Sequence, residues 1–491
     1  MVLNNLRRLA AVLLLGLCTA AQAETTALRQ VFLVQNSGWM EPFYLDPQSG
    51  FKPLVGQLIA AAAGSGEVVL GGFNQASSQH PSPLWSYRGP GNHPQLQVAI
   101  EQLALARKAG GAYADTDFKE ALLAAIQTAL EGREGIVWIV TNNKNSPNNS
   151  RETQLRNREF YDLLHREAVI SRIAAFPRKM PVQGPNYAAN GLMVYAIAYG
   201  AAAGEALEAV LAQPALAEVL PGAQARLKPL TQAAVRFVPT GLQDTPGVGA
   251  SLAADRQTLI LDFDADSTAK TATLLGAFEN RFNPYQIASA RIDLGLDIPG
   301  EALAAKLSVA ELENLDPGQR SAPLSIDLQL PALPSLWSSE VLLSSGYQRA
   351  GHLEIQLNDQ QLRISPQFVE HMNELFPGDA LPDVFIPPAE TTASATRIPL
   401  LLRISHPIGP LLALLGAGLL LLGLLAYAGL RLTARRPTTL LVEGEARKVL
   451  LKPFAQLDIH DARGEKVATL ARGLGSPRIA WQAPNSAVTL K

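Results

Sequence analysis

Short apolar runs alternate with stretches of helical spacing between residues 30 and 200. A continuous apolar run of four to eight residues indicates a strand that is buried on both faces, and apolar residues at every third or fourth position indicate a helix. The predicted strands are 31–34, 68–70, 136–140, 168–176 and 192–199, and the predicted helices are 53–63, 96–107, 117–130 and 156–166. This alternation predicts an α/β fold with a doubly wound, mostly parallel sheet.

The pattern changes beyond residue 230. Residues 201–230 are rich in Ala and Leu, and we interpret them as a last helix of the α/β domain followed by a connector. Further along, many runs alternate apolar with polar residues, as half-buried strands do, and Pro and Gly separate them. The strands predicted there are 258–263, 290–296, 324–330, 341–343, 353–357 and 398–404, with one helix at 366–375. One or two β-sandwich modules fit this pattern best.

Two segments have the composition of membrane-directed sequences. Residues 1–23 combine Arg7 and Arg8 with an apolar run and a small-x-small triplet that ends at Ala23, the pattern of a cleaved signal peptide. Residues 408–430 carry no charge and are long enough to cross a bilayer, and Arg431 follows directly. Because basic residues mark the cytoplasmic end of a span, we expect a single-pass inner-membrane protein with its bulk outside the cytoplasm and its C-terminus inside.

These patterns divide the chain into five parts. They are a signal peptide (1–23), an α/β domain with a connector helix (24–230), a β-rich region (231–405), a transmembrane helix (408–430) and a small β-rich cytoplasmic module (437–491). The last part is predicted from apolar runs at 440–442 and 449–451 and from a hairpin turn at 461–464. The single cysteine, Cys18, lies in the signal peptide, so we expect the mature chain to be stabilised by core packing without disulfides.

Composition and motifs exclude several classes of protein. With 47% hydrophobic and 17% charged residues the chain is neither disordered nor fibrous, and its formal net charge of −2 provides no basic field for nucleic acid. The sequence has no G-x-S-x-G or H-E-x-x-H motif, no Walker loop and no G-x-G-x-x-G after a strand, and its seven histidines lack metal-ligand spacing. We therefore expect no catalytic residues and no enzyme activity.

Three loops carry the candidate site, at the end of the predicted sheet where α/β proteins bind ligands. The first strand runs into Gln35-Asn36-Ser37-Gly38-Trp39-Met40, a second loop reads Gly110-Gly111-Ala112-Tyr113-Ala114-Asp115-Thr116-Asp117, and the strand at 136–140 ends in Thr141-Asn142-Asn143. In these loops the chain resembles the von Willebrand factor A family. There the first strand ends in Asp-x-Ser-Gly-Ser-Met, a Gly-Gly-x-Thr loop supplies a threonine, and a later strand ends in Thr-Asp-Gly. The resemblance covers residues 30–200.

The resemblance implies a metal-dependent adhesion site, in which Ser37 and Thr116 would be ligands. Gln35 and Asn142 stand at aspartate positions of the family motif, and Trp39 stands at a serine position. Amide oxygens carry no charge and an indole has no acceptor, so the site lacks the ligands that a hard cation such as Mg²⁺ needs. We therefore expect no metal and no other cofactor. The residues that would hold a retained cation are Ser37, Thr116 and Asp117.

Trp39 has two interpretations. Its ring either packs under the loop and fixes it, or forms an aromatic anchor on a partner-binding face, a role in which Trp is enriched. In the second interpretation the partner-binding face consists of Gln35, Ser37, Trp39, Thr116 and Asn142. The sequence then predicts a membrane-anchored adhesion or scaffold protein whose extracytoplasmic head binds another protein.

Two alternatives stay open. One is a structural or signalling subunit of a cell-envelope complex, in which the cytoplasmic tail makes the specific contact. The other is a cell-surface glycan-binding protein that uses the β-sandwich, against which the aromatic content of 6% argues. The remaining expected contacts are with lipid through the one apolar helix and with a cytoplasmic partner through the tail; nucleic acid is not expected.

Overall fold

The computed structural model describes residues 28–78, 80–144, 151–255, 257–264, 267–300, 303–378 and 383–491. The signal peptide predicted at 1–23 lies outside these residues. The chain divides into two compact units. The first contains the described residues up to 261 together with 269–331 and 349–402, and the second contains 262–268, 332–348 and 403–491. The predicted boundary between residues 230 and 231 thus falls within the first unit and stays a prediction.

A seven-stranded sheet forms the α/β part of the first unit. Its strands are β1 (Gln30–Gln35), β2 (Glu67–Phe73), β3 (Leu84–Pro90), β4 (Gly135–Thr141), β5 (Ile170–Gln183), β6 (Ala188–Tyr199) and β7 (Ala225–Lys228), in the order β3-β2-β1-β4-β6-β5-β7. Two of the six pairings in this described sheet, β1–β2 and β1–β4, are parallel, and the other four are antiparallel. The prediction of a mostly parallel sheet is therefore wrong. Residues 184–187 join β5 to β6, and so short a connection allows only antiparallel pairing.

Helices cover both faces of this sheet. They are α1 (Glu41–Leu45), α2 (Phe51–Ala63), α3 (Pro94–Glu101), α4 (Phe118–Ala124), α5 (Arg151–Arg166), α6 (Ala201–Leu211) and α7 (Pro214–Val219), and a π-helical turn (Ala125–Ala129) continues α4. Every residue of β1 is buried. Phe32 and Val34 join a core with α2, α3, α6 and α7. The intervening residues of β1 face the opposite side, where the π-helical turn contacts the strand.

Two further sheets make up the β-rich region. One has the order β14-β12-β16-β17-β10-β9 and the other the order β13-β15-β11-β8. The strands are β8 (Val235–Leu242), β9 (Val248–Leu252), β10 (Leu259–Asp264), β11 (Thr271–Asn280), β12 (Tyr285–Asp297), β13 (Ala305–Leu307), β14 (Glu311–Leu315), β15 (Leu324–Gln329), β16 (Gly346–Ile364) and β17 (Ser394–Ser405). The run at 341–343, predicted as a strand, lies instead in the short helix α8 (Ser339–Leu343), which the Ser338 hydroxyl caps by accepting from the Val341 N–H.

The first unit also contains contacts between the α/β sheet and the β-rich region. The helix predicted at 366–375 is present with those bounds as α9 (Pro366–Leu375) and packs against β5 and β6. A Cβ added at Gly191 would lie 2.8 Å from Leu375, so the chain approaches the helix closely there. A 3-10 turn (Asp383–Phe385) packs on α5, where Nε2 of His165 lies 3.2 Å from the carbonyl oxygen of Val384.

The second unit contains a long apolar helix, α10 (Gly409–Thr433), followed by a small β-rich module. Residues 409–431 of this helix have a mean hydropathy of 2.4 and are not buried, so the helix is long and apolar enough to cross a membrane, as predicted for 408–430. The module contains the sheets β19-β18-β23 and β20-β21-β22, with a core that includes Leu440 and Leu470. Its strands are β18 (Arg436–Val442), β19 (Glu445–Leu451), β20 (Gln456–His460), β21 (Lys466–Arg472), β22 (Pro477–Gln482) and β23 (Val488–Leu490).

Candidate functional site

The three loops singled out in the sequence meet at the carboxyl ends of β1 and β4. Gln35, the last residue of β1, is fully buried at their centre. Its amide nitrogen donates to the hydroxyl oxygens of Ser37 and Thr116, each at 2.8 Å, and to the carbonyl oxygen of Lys144 at 3.3 Å. The Thr116 hydroxyl in turn donates to Ser37 at 2.7 Å. One glutamine side chain therefore connects all three loops.

The oxygen of the Gln35 amide fixes the orientation of this side chain. It accepts from the backbone N–H of Asn142 at 3.2 Å and from the hydroxyl of Thr141. A backbone N–H can only donate and the Lys144 carbonyl can only accept, so turning the amide round would lose both contacts. Both ends of the buried amide are thus hydrogen-bonded, as a buried polar group requires.

Asn142 attaches the third loop to the first. Its side-chain nitrogen donates to the carbonyl oxygen of Trp39 at 2.5 Å, and its side-chain oxygen accepts from the backbone N–H of Lys144 at 3.2 Å. The next residue, Asn143, has a left-handed φ of 68° and accepts from the Tyr195 hydroxyl at 2.6 Å. The structure therefore brings Gln35, Ser37, Trp39, Thr116 and Asn142 together.

Two tyrosines support this network, the half-buried Tyr44 and the buried Tyr195. The hydroxyl of Tyr44 donates to the backbone oxygen of Gln35 at 3.1 Å, and the hydroxyl of Tyr195 donates to Asn143. Burial raises the pKa of Tyr44 and of Tyr195 well above the ordinary phenol value. Both phenols therefore stay neutral donors at physiological pH and hold the first and third loops in place.

The arrangement of the loops does not fit a hard metal cation. A cation in an adhesion site would contact the hydroxyl oxygens of Ser37 and Thr116, and here the Gln35 amide nitrogen already contacts both. An N–H group repels a cation and cannot act as its ligand. Asp117 caps α4 by accepting from the backbone N–H of Glu120 at 3.0 Å. Among the residues that the structure describes, no three His, Cys, Asp or Glu side chains are grouped as metal ligands.

Trp39 is half-buried and combines features of both interpretations of its role. Its ring makes an edge-on contact with Tyr187, with the centroids 5.6 Å apart, and the Lys144 ammonium lies 4.5 Å from its centroid. Its indole nitrogen is buried and has no acceptor within the described part of the chain. The preceding residue must be small, because a Cβ at Gly38 would lie 2.7 Å from the Cβ of Tyr113. The ring is thus fixed in place while part of it stays accessible.

A cavity of about 220 Å³ opens beside Trp39, and we call it the Trp39 cavity. It is lined by Gly38, Trp39, Glu41, Tyr113, Ala114, Asp115, Asn186 and Tyr187. Glu41 is 3% exposed, and its carboxylate accepts from the backbone N–H and the side-chain nitrogen of Asn186, at 3.2 and 2.5 Å. Asn186 and Tyr187 come from the loop between β5 and β6. No sequence motif links that loop to the other three, so these two residues could not be predicted as part of the site.

Comparison with known proteins assigns no family to the chain. No protein-family model matches the sequence, and no curated protein matches it either. The resemblance to the von Willebrand factor A family therefore stays a prediction from the sequence of the three loops.

Proposed function

We propose that this chain is a membrane-anchored protein whose extracytoplasmic head binds another protein at the face formed by the three loops. The observation that carries the proposal is the Trp39 cavity, which aromatic rings surround at the carboxyl ends of β1 and β4. Open α/β sheets bind ligands at that edge. Aromatic side chains held in a rigid setting are typical of the residues that dominate protein–protein binding energy. The hydrogen bonds of Gln35 and Asn142 supply that rigidity.

We further propose that the head is a divergent relative of the von Willebrand factor A domain in which an amide replaces the metal. The Gln35 nitrogen joins the Ser37 and Thr116 hydroxyls, the two groups that a cation would join in the family. Partner binding is then independent of divalent cations. Four antiparallel pairings, among them β4–β6 and β5–β6, are the departure of this sheet from a mostly parallel one.

The proposed topology places α10 across the inner membrane and residues 437–491 in the cytoplasm. Its support is the uncharged length of α10 together with the arginines that follow the helix, at positions 431, 435 and 436. Residues 24–405 would then be exported. The two sheets of the β-rich region would form a sandwich-like stalk or a second binding surface.

A photo-crosslinking experiment on the full chain in its native membrane tests the proposed function. A photoreactive amino acid at Ala112, an exposed residue next to Tyr113, is expected to capture the partner. The same amino acid at Leu84, which is 65% exposed on β3, is the control. Trp39→Ala should reduce capture by about tenfold or more, the effect of losing a hot-spot side chain, while EDTA should leave capture unchanged. Equal capture from position 84, or loss of capture with EDTA, would contradict the proposal.

A second candidate function is that of a subunit of an envelope complex. In this case the C-terminal module of the chain, and not its head, binds the other subunits. Large apolar side chains on the C-terminal module favour it, since Leu450, Phe454 and Leu474 are 61%, 71% and 69% exposed. Removing residues 437–491 separates the two candidates. Capture from Ala112 should survive this deletion if the head binds the partner, and it should disappear if the tail makes the specific contact.

A further inference from the structure

We infer that the Trp39 cavity binds an organic cation, supplied either by a lysine or arginine side chain of the protein partner or by a small free ammonium compound. This inference rests on the proposed function, because it specifies the chemistry of the same face. Three properties of the cavity support it: the charge of its lining, its aromatic rings and its size.

The lining of the cavity is acidic. Two of its eight residues are carboxylates, Glu41 and Asp115, and none of the eight is a lysine, arginine or histidine. Asp115 forms an ion pair with Lys108 outside the lining. Glu41 is almost completely buried, and no cationic side chain in the described parts of the chain forms an ion pair with it. A buried carboxylate is costly without a cationic partner, so Glu41 is the group that an incoming cation would pair with.

Three aromatic rings complete the lining, those of Trp39, Tyr113 and Tyr187. The faces of indole and phenol rings attract ammonium and guanidinium groups. The chain itself uses all three rings in this way, and the Lys144 ammonium lies 5.9 Å from the Tyr187 centroid. The Lys144 ammonium lies 4.5 Å from the Trp39 centroid, and the Arg107 guanidinium lies 4.3 Å from the Tyr113 centroid. Neither cation belongs to the lining, so the part of each ring that borders the cavity is available to a cation from outside.

The size of the cavity limits the ligand to one small group. Its volume of about 220 Å³ is below the roughly 300–1,000 Å³ that is typical of sites for drug-sized ligands. A single side chain or a small ammonium compound fits this volume, whereas a folded segment does not. The partner would therefore insert one protruding basic residue.

Fluorine NMR of the full chain in detergent micelles tests this inference. 5-Fluorotryptophan labels the five tryptophans, and Trp39→Phe assigns the signal of Trp39. The probes are lysine and arginine capped as N-acetyl methylamides, and tetramethylammonium; capped Nε-acetyl-lysine is the neutral control. We expect a saturable shift of the Trp39 signal with at least one cationic probe and none with the neutral one. The signal of Trp138, buried in the core, should not move.

Variants identify the groups that hold the cation. Glu41→Gln keeps the shape of the side chain and should weaken binding of the probe about tenfold, the equivalent of about 1.4 kcal/mol. Glu205→Gln, at an exposed residue of α6, should have no effect. Tyr113→Leu removes a ring without touching the carboxylate and should also weaken binding several-fold. An unchanged Trp138 signal establishes that each variant is folded.

The probes also separate the two sources of the cation. Binding of the capped amino acids indicates a side chain of the partner, and binding of tetramethylammonium alone indicates a free ammonium compound. No saturable shift with any cation, or equal affinity in wild type and Glu41→Gln, would overturn the inference. Failure of the proposed function looks different: the cations would bind, but the photoreactive residue at position 112 would capture no protein.

Discussion

The side-chain nitrogen of Gln35 lies 2.8 Å from the hydroxyl oxygen of Thr116, a residue 81 positions further along the chain. The same nitrogen reaches Ser37, and the amide oxygen accepts from the backbone of Asn142. A neutral amide thus holds together loops that arrive from three separate parts of the sequence. Because its contacts are ordinary hydrogen bonds, their strength should not depend on divalent ions in solution.

Gln35→Ala should lower the stability of the head by about 2–4 kcal/mol. The change leaves the hydroxyls of Ser37 and Thr116 and the N–H of Asn142 without their shared partner in a buried setting. The expected result is a lower melting temperature of the full chain in detergent micelles, with no recovery on adding magnesium or manganese.

Gln30→Ala is the matched control, because Gln30 is a second buried glutamine of the same strand. Its amide makes two hydrogen bonds, to the backbone oxygen of Ala62 and from the indole nitrogen of Trp138, each at 2.8 Å. We expect this variant to lose about 1–2 kcal/mol. An equal loss in both variants would mean that Gln35 has no special role in joining the loops.

The part of the fold that could be predicted from the sequence is the part with a local signal. β1 and β4 are short runs of apolar residues. The structure has these strands at 30–35 and 135–141, which contain the predicted ranges 31–34 and 136–140. The direction of β6 has no such signal, because it depends on the short loop at 184–187. β7 has only four residues and lies within a segment predicted as helix and connector. It is a strand because its backbone pairs with the edge of the sheet at β5.

The candidate site divides in the same way. Ser37, Thr116 and Asn142 could be predicted to converge, because each lies just after a strand or just before a helix on one edge of the sheet. The contribution of Tyr187 could not be predicted. Its hydroxyl donates to the backbone oxygen of Trp39, 148 residues away, only because the long hairpin of β5 and β6 folds back over the loops.

Gly38→Ala should disrupt the Trp39 cavity. The added Cβ would lie 2.7 Å from the Cβ of Tyr113, a separation that requires the loop or the tyrosine to move. We expect a loss of about 1–3 kcal/mol, typical of overpacking, and weaker binding of the cationic probe. Gly50→Ala is the control, because nothing lies within 4 Å of the Cβ that it adds. The measurements are the melting temperature and the titration of the Trp39 signal, and equal effects of the two changes would contradict the prediction.

His165 should make the contact between α5 and the turn at 383–385 sensitive to acid. Burial lowers the pKa of His165 below its ordinary value of 6.5. Between the lowered pKa and 6.5 the unfolded chain binds more protons than the folded one, so stability is lost as the pH falls through this window. His165→Gln can still donate to Val384 but takes up no proton, so its melting temperature should fall less between about pH 7.5 and pH 5.5. His80→Gln, at an exposed residue, should behave as the wild type.

Arg472 should be essential for the small C-terminal module. It is 3% exposed, and its guanidinium donates to the carbonyl oxygens of Leu451 at 2.6 Å, Ala434 at 3.2 Å and Gly475 at 3.4 Å. Arg472→Gln leaves carbonyl oxygens without a donor, at a cost of about 2–4 kcal/mol, and so small a module has little stability to lose. We expect rapid proteolysis of residues 437–491 in the variant and no change in Arg478→Gln, an exposed arginine of β22. Equal protease resistance would contradict this role.

The proposed topology predicts opposite locations for two turns, one before α10 in the sequence and one after it. Gly247 lies in the turn between β8 and β9 with a φ of 71°, and Gly444 lies in the turn between β18 and β19 with a φ of 88°. Surface loops tolerate insertions, so a reporter at either position should leave the surrounding strands intact. A reporter that is active only outside the cytoplasm should work at Gly247 and fail at Gly444 and after Lys491, whereas a cytoplasmic reporter should give the reverse result. Because each position is tested with both reporters, opposite results report the side of the membrane and not the tolerance of the site. Activity on the same side at both positions would mean that α10 does not cross the membrane, and reversed activities would place the Trp39 cavity in the cytoplasm, where a partner outside the membrane could not reach it.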